Sequence, residues 1–444
     1  MSAFWIVLLS VSAGTVLSSV LACLPGLHVY NVMGAMVLGI LALEGTTHAI
    51  PPDVYLPAMT GMIVGWAMLN TIPAVLLGTP DESAMITVLP GQKYLMAGRG
   101  FEGTMITAVG GLAGAFFLIC VMAPLAPRYL PVSQQVLKGH MHWVLWVIIT
   151  FMLMSEWPKG GNRGPAGWAK FFDAWKTLIA GLITFLLAGL LGFILLTRSP
   201  VSHEVAFQNI MPAFVGLFAI PWCLLNMISA ANVPPQRTAK SLAINGDVIL
   251  RSVWSGGLGG GIAAYFPIVT GGVGGMLAGH ATAQRDERIF IMGQGVSKFI
   301  YYVGAFMLLF VPGLNLTRGG GAWMIKTLYT PIGWADYYLV LGSIAVASGI
   351  AFLMMEPLTK LTLKFIDRFN YRHVSTVALA IIIFMVVAVT GWVGLFIAVV
   401  ATGIGLLPVL FGSRRLNCLG ILLLPIACNM SGFGETITGW LRLT

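Results

Sequence analysis

The stretch SVWSGGLGGGIAAYFPIVTGGVGGMLAGHAT at residues 252–282 decides the fold class. It is apolar along its length but interrupted at Pro267. Proline removes a backbone donor and glycine relaxes the chain, so both suit a break inside a membrane. Such a break exposes backbone polar groups, which a bilayer tolerates only where protein buries them or a wet cavity meets them. A second interrupted stretch covers 4–43 and breaks at Pro25-Gly26. The composition agrees with a membrane setting: of 444 residues 58% are hydrophobic and 9% charged, with mean hydropathy +0.90. Soluble domains carry about 25% charged residues, and no polar stretch here is long enough to fold as a separate soluble domain.

Working outward from these two stretches gives twelve hydrophobic elements. The first six lie at 4–43, 54–78, 104–126, 140–154, 174–196 and 207–229. The second six lie at 252–282, 289–310, 336–355, 374–390, 393–411 and 417–430. The halves resemble each other. Each opens on an interrupted element, and the sixth elements read Pro221-Trp-Cys-Leu-Leu-Asn-Met-Ile-Ser229 and Pro425-Ile-Ala-Cys-Asn-Met-Ser431. Weak internal similarity of this kind marks transporter repeats. The expected division is a first repeat at 1–230, a cytoplasmic linker at 231–251 and a second repeat at 252–444.

Charge orients the chain. Placing the loops at 90–103, 155–176, 230–251, 283–288, 356–373 and 412–416 inside puts most of the 24 Lys and Arg there, as the positive-inside rule requires. The two halves then run in opposite directions, with the N-terminus outside a cell membrane crossed many times. Closing this topology requires each interrupted element to be a re-entrant helical hairpin, the first entering from outside and the second from inside. The expected fold is therefore an all-α polytopic membrane protein of two inverted repeats. The net charge of +9 is explained by the inside loops, so no nucleic-acid partner is expected. The segment Met1-Ser-Ala-Phe-Trp-Ile6 has no basic n-region, and no cleaved signal peptide is expected. Cys23, Cys120, Cys223, Cys418 and Cys428 lack CxxC spacing and read as small buried residues, with no metal or disulfide role.

Candidate binding residues gather at the two breaks. Pro25, Gly26, His28 and Asn31 in the first, and Pro267, Thr270, Gly271 and Gly272 in the second, each lead into a short helix. Free N–H groups at a helix start attract anions. Plain helix capping and glycine packing is the structural alternative. Lys298, in Gly295-Val-Ser-Lys-Phe-Ile-Tyr-Tyr302, either snorkels to the interface or points inward and pairs with a substrate carboxylate or phosphate. Thr79-Pro-Asp81-Glu82 has the pattern of a capping box, which is a complete structural account. The functional reading adds Thr79, Asp81 and Glu82 as holders of a coupling H⁺ or Na⁺. Asn70, Asn226, Asn429 and Glu435 are further polar candidates, while His140 and His142 beside Trp143 and Trp146 read as an interfacial anchor. HExxH, GxxxxGK[ST] and Asp clusters are all missing, so neither an enzyme nor a cofactor is expected. A bound metal or a tight acid–base pair at the breaks would favour a membrane-embedded enzyme instead. A channel is disfavoured by the lack of a filter or a ring of like charges.

One further segment carries a resemblance. Residues 72–100, IPAVLLGTPDESAMITVLPGQKYLMAGRG, resemble the large permease subunit of the tripartite tricarboxylate transporter family, with its Leu-Leu-x-x-Pro-Gly-Thr-Pro-Ser and Gly-x-Pro-x-x-x-x-Gly-x-x-Gly segments. Ser255-Gly-Gly-Leu-Gly-Gly260, Pro267, Arg285-Asp286, Phe290, Gly295 and Arg318-Gly319 are similar to the shorter branch of that family. The resemblance implies a secondary transporter for a small organic anion, with a small membrane subunit and an extracytoplasmic binding protein as partners. Asp81 and Glu82 depart from its pattern, and two acids there repel a tricarboxylate unless protonated or paired with a cation. Pro267-Ile-Val-Thr-Gly-Gly272 is also similar to the Pro-Gly-Val-Ser-Gly-Gly motif of a polyprenyl-phosphate transporter family, with Ile268 in place of a glycine. That alternative would put a lipid phosphate, reached from the surrounding membrane lipids, at the same helix starts. A homodimer is expected by analogy with other hairpin-bearing transporters.

Overall fold

The computed structural model describes residues 3–24, 27–78, 85–157, 167–201, 208–228, 233–282, 286–368 and 371–443. Among them there is helix and no strand. The first helices are α1 (Ala3–Leu21), α2 (Val29–Leu43), α3 (Pro52–Leu69), α4 (Thr71–Leu76), α5 (Met85–Met96), α6 (Gly100–Phe117) and α7 (Ala123–Leu137). Then come α8 (Met141–Met154), α9 (Trp168–Thr197), α10 (Met211–Phe214), α11 (Ile220–Ile228), α12 (Gly246–Tyr265), α13 (Gly271–Ala281) and α14 (Glu287–Phe299). The last are α15 (Ala305–Met307), α16 (Gly319–Leu328), α17 (Trp334–Arg368), α18 (Tyr371–Phe411), α19 (Gly420–Met430) and α20 (Gly434–Trp440). Eight helices among the described residues are long and apolar enough to cross a membrane, or nine if the pair over Arg415–Met430 and Gly434–Trp440, bent by 116°, counts as one span.

The chain forms two compact units. One holds Met1–Gln134 and Leu225–Leu379, the other Gln135–Leu224 and Ala380–Thr444. Each unit thus draws on both halves of the sequence. In the first unit α3 packs on α1 and α17, while α14 packs on α12 and α6. Likewise α2 meets α16 and α13 meets α5. The Gly-rich runs serve close approach: a Cβ on Gly274 would stand 2.1 Å from the Gly259 carbonyl oxygen, and one on Gly259 would stand 2.5 Å from the Gly274 carbonyl oxygen. Backbones this close gain dispersion and weak Cα–H···O contacts where the surroundings offer no hydrophobic drive.

Several loops of the sequence reading are helical. The expected outside loop after 126 is α7, although Pro127 and Pro131 lie within it. Pro127 has no N–H for the carbonyl of Ala123, and Tyr337 supplies the missing donor, its Oη donating to Ala123 O at 2.6 Å. Tyr337→Phe should leave that buried carbonyl unpaired and cost about 1–3 kcal/mol, read as a lower unfolding midpoint. An unchanged midpoint would show that Pro127 is accommodated another way. Helices also replace loop at Met85–Met96 and Gly319–Leu328, and α17 runs past 355 to Arg368. The expected division between 374–390 and 393–411 falls at a non-helical kink inside α18, at Gly391, whose φ of 67° and ψ of −165° suit glycine. Among the cysteines, Cys223, Cys418 and Cys428 are buried as expected, but Cys120 is exposed. It sits on the outward side of a π-helical turn at Leu118–Met122.

In the second unit Glu156 lies in the turn after α8, within the loop expected from sequence, and is buried. Its Oε1 accepts Arg414 N at 2.6 Å and Asn417 Nδ2 at 3.3 Å, tying the end of α8 to the turn before α19. Nearby the Arg415 guanidinium stacks 3.9 Å above the Trp222 ring. Neither contact has a signal in the sequence, because each joins residues far apart in the chain.

Candidate functional site

The site lies within the first unit, where the starts of α2 and α13 reach one turn of α14. His28 caps α2. Its Nδ1 accepts from Tyr30 N at 3.2 Å, so in the neutral ring the proton is on Nε2, which faces Tyr302 Oη at 3.3 Å. The imidazole also lies against the Trp66 indole, with ring centroids 5.2 Å apart. Asn31 follows in the first turn of α2. Asn31 Nδ2 and Trp66 Nε1 are both buried with no hydrogen-bond partner among the described residues. Buried donors without acceptors are rare and costly, and here two occur close to one helix start.

The second break lies wholly within the described residues. Phe266 ends α12, Pro267 follows, and Ile268 takes φ 66°. A β-branched residue in the left-handed region is strained, at a cost on the order of 1–3 kcal/mol. Thr270 then caps α13, its Oγ1 accepting from Val273 N at 3.4 Å. Ser297 Oγ donates to Gly271 O at 2.9 Å. A Cβ on Gly271 would stand 3.2 Å from both Lys298 Cα and Tyr301 Cβ, so the first turn of α13 sits directly on α14. Gly272 is the buried second residue of α13.

Lys298 points inward. It is 3% exposed, which rules out snorkelling to an interface. Its Nζ donates to Asn70 Oδ1 and lies 3.4 Å from Thr71 Oγ1. Asn70 and Thr71 mark the interruption between α3 and α4. Immediately after Lys298 the helix widens into a π-turn at Ile300–Gly304, a distortion frequent at functional sites. The residues 297–302 therefore meet His28, Gly271, Asn70 and Thr71 together. Helix-start N–H groups, helix dipoles, an ammonium and two unpartnered donors all favour negative charge.

The remaining candidates divide. Pro25, Gly26, Thr79, Asp81 and Glu82 lie outside the described residues. Asn226 is buried in the first unit and donates to Leu77 O at 3.2 Å, close to the end of α4. Asn429 and Glu435 are exposed and belong to the second unit. His142 lies against the exposed Trp143, with ring centroids 5.2 Å apart, as an anchor would. Asp286 caps α14 and accepts from Arg288 N at 2.8 Å, and the Arg288 guanidinium beside it holds its carboxyl below the usual range. Trp66, Thr71, Ser297, Tyr301 and Tyr302 were not singled out as site residues from sequence. Their only sequence signal is polarity inside otherwise apolar spans.

Comparison with known proteins adds the family. No solved structure matches this chain. An uncharacterized protein of Methanocaldococcus jannaschii is 25% identical over 427 residues, covering 94% of this chain and 97% of its own. The model of the tripartite tricarboxylate transporter TctA family matches residues 8–420, which includes α1 to α18 nearly whole, both breaks and Lys298. With a match of that extent over a helical chain of this apolar character, the protein belongs to the TctA family of multi-pass membrane transporters.

Proposed function

We propose that this chain is the permease of a secondary active transporter for a small organic anion, a carboxylate, working by alternating access. The observation that carries the reading is the meeting of the α2 and α13 starts on the Lys298 turn of α14. Binding residues in this reading are His28, Asn31, Thr270, Gly271, Gly272 and Lys298, with Pro25, Gly26 and Pro267 shaping the breaks. Thr79, Asp81 and Glu82 are assigned to a coupling H⁺ or Na⁺.

The packing supports a pair of inverted repeats that divide at 231–251. Exchanging α1, α2, α3, α5 and α6 for α12, α13, α14, α16 and α17 maps the α1–α3, α3–α17, α1–α17 and α2–α16 pairs onto α12–α14, α14–α6, α12–α6 and α13–α5, although the α12–α13 and α5–α6 contacts have no counterpart of like extent. Re-entrant hairpins are supported by length, since α2 has 15 residues and α13 has 11. A full crossing needs roughly 20. The first hairpin is assigned to the outside and the second to the inside, with the N-terminus outside and the protein in the cell membrane. Family membership supports a small membrane subunit and an extracytoplasmic binding protein as partners. A homodimer is part of the same proposal.

The test is a thermal-shift panel on purified protein with di- and tricarboxylates and a short-chain polyprenyl phosphate. A ligand at 100 times its Kd should stabilise the protein by roughly 2.7 kcal/mol. Stabilisation by a carboxylate, lost in Thr270→Ala, is the expected result. A response to the lipid phosphate alone overturns the reading in favour of lipid-carrier transport.

A further inference from the structure

Secondary transporters commonly hold a coupling Na⁺ where a half-helix ends, because its last carbonyls are unshared and the helix dipole is negative there. The junction of α3 and α4, which continue as one buried span over Pro52–Leu76, frees one carbonyl of this kind. Leu69 closes α3 and is fully buried. Its carbonyl would take an N–H four residues on, and that residue is Pro73, which has none. Asn70 Oδ1 and Thr71 Oγ1 stand at the same interruption. These are hard, neutral oxygen donors of the kind that replace the hydration shell of a small alkali cation. The cation found among them belongs to the protein: Lys298 Nζ donates to Asn70 Oδ1 and approaches Thr71 Oγ1 at 3.4 Å.

The ammonium is held there from behind. Gly271 packs on Lys298 Cα, Ser297 Oγ binds the Gly271 carbonyl, and the π-turn begins two residues later. We propose that the Lys298 ammonium takes the place of a coupling sodium ion at the end of α3, so that anion binding at this site needs no Na⁺. This rests on the transport reading above and narrows its coupling ion from H⁺ or Na⁺ to H⁺. Two cations cannot share one small oxygen cluster, because like charges at contact distance repel strongly where little water screens them. A tethered cation also cannot leave with the substrate, so a sodium gradient has no purchase on this position. It supplies the positive charge for an anion permanently, where an ion would supply it conditionally.

The experiment compares purified wild-type protein and Lys298→Met in NaCl and in choline chloride at equal ionic strength. The unfolding midpoint is followed with and without the stabilising carboxylate. For the wild type the midpoint and carboxylate affinity should agree between the two salts. In Lys298→Met the vacated oxygens should admit Na⁺, giving a saturable sodium-specific rise in midpoint and about tenfold tighter carboxylate binding in NaCl than in choline. A wild-type midpoint that rises saturably with Na⁺ but not choline overturns the proposal. So does a Lys298→Met protein that responds to neither salt. Lys298→Gln replaces Lys298→Met if the latter does not fold, and the wild-type comparison needs neither. If no carboxylate stabilises any protein, the transport reading fails, while the ligand-free sodium comparison still decides the role of Lys298.

Discussion

Gly274→Leu is expected to unfold the α12–α13 pair locally and abolish anion binding, with the unfolding midpoint falling well below that of the wild type. The reason is reciprocal backbone contact. A Cβ on Gly274 would stand 2.1 Å from the Gly259 carbonyl oxygen, and a carbonyl cannot rotate aside as a side-chain end can. The helices must separate, and overpacking typically costs about 1–3 kcal/mol, occasionally more. Separation also displaces Thr270 and Gly271 from the Lys298 turn, so the loss of binding should exceed what the loss of stability alone explains. Gly261→Ala is the control on the partner helix α12. Its Cβ would meet only the mobile end of Met122 at 3.2 Å, and the helical preference for alanine offsets that contact by roughly 0.8–1.0 kcal/mol. Near-equal midpoints for the two variants would show that the Gly259–Gly274 contact is not what holds the hairpin.

Asn31→Leu should move stability and affinity in opposite directions. Asn31 Nδ2 is buried with no partner among the described residues, and removing an unsatisfied buried donor is neutral or stabilising for the ligand-free protein. If that donor meets the anion, a charge-assisted bond worth about 1.5–3 kcal/mol is lost, which weakens carboxylate binding by roughly ten- to a hundredfold. The two effects are separable by measuring the midpoint and the Kd on one preparation. A variant that loses stability with unchanged Kd would mean that Asn31 has a structural role only.

Much of this was legible in the sequence because it depends on local chemistry. Pro267 with its glycines announced a break, and Thr270 announced the helix cap that follows, since both effects act within a few residues. Lys298 was legible as a buried-or-snorkelling choice but not as an outcome. Its partner Asn70 is 228 residues away, and no local pattern links them. The same limit hid Tyr337 from Pro127, so a proline-bearing stretch that reads as loop is helix with a distant hydroxyl completing it. The burial of Glu156 was hidden for a related reason. The residue sits in the turn after α8, while the groups it binds, Arg414 N and Asn417, arrive with the last elements of the chain. Pattern reading gave element type where periodicity and breaks sufficed, and failed where long-range polar pairing decided.

The way α3 is covered carries a consequence for how the protein is made. From Tyr55 onward it is almost wholly enclosed, by α1 on one side and by α17, which begins at Trp334, on another. A ribosome adds about 5–20 residues per second, so the span between them takes on the order of tens of seconds to emerge. Through that interval α3, with the buried Asn70 and Thr71 at its end, waits in the insertion machinery or the bilayer without its final cover. Biogenesis of this permease therefore depends on something holding the early helices open until the late ones arrive.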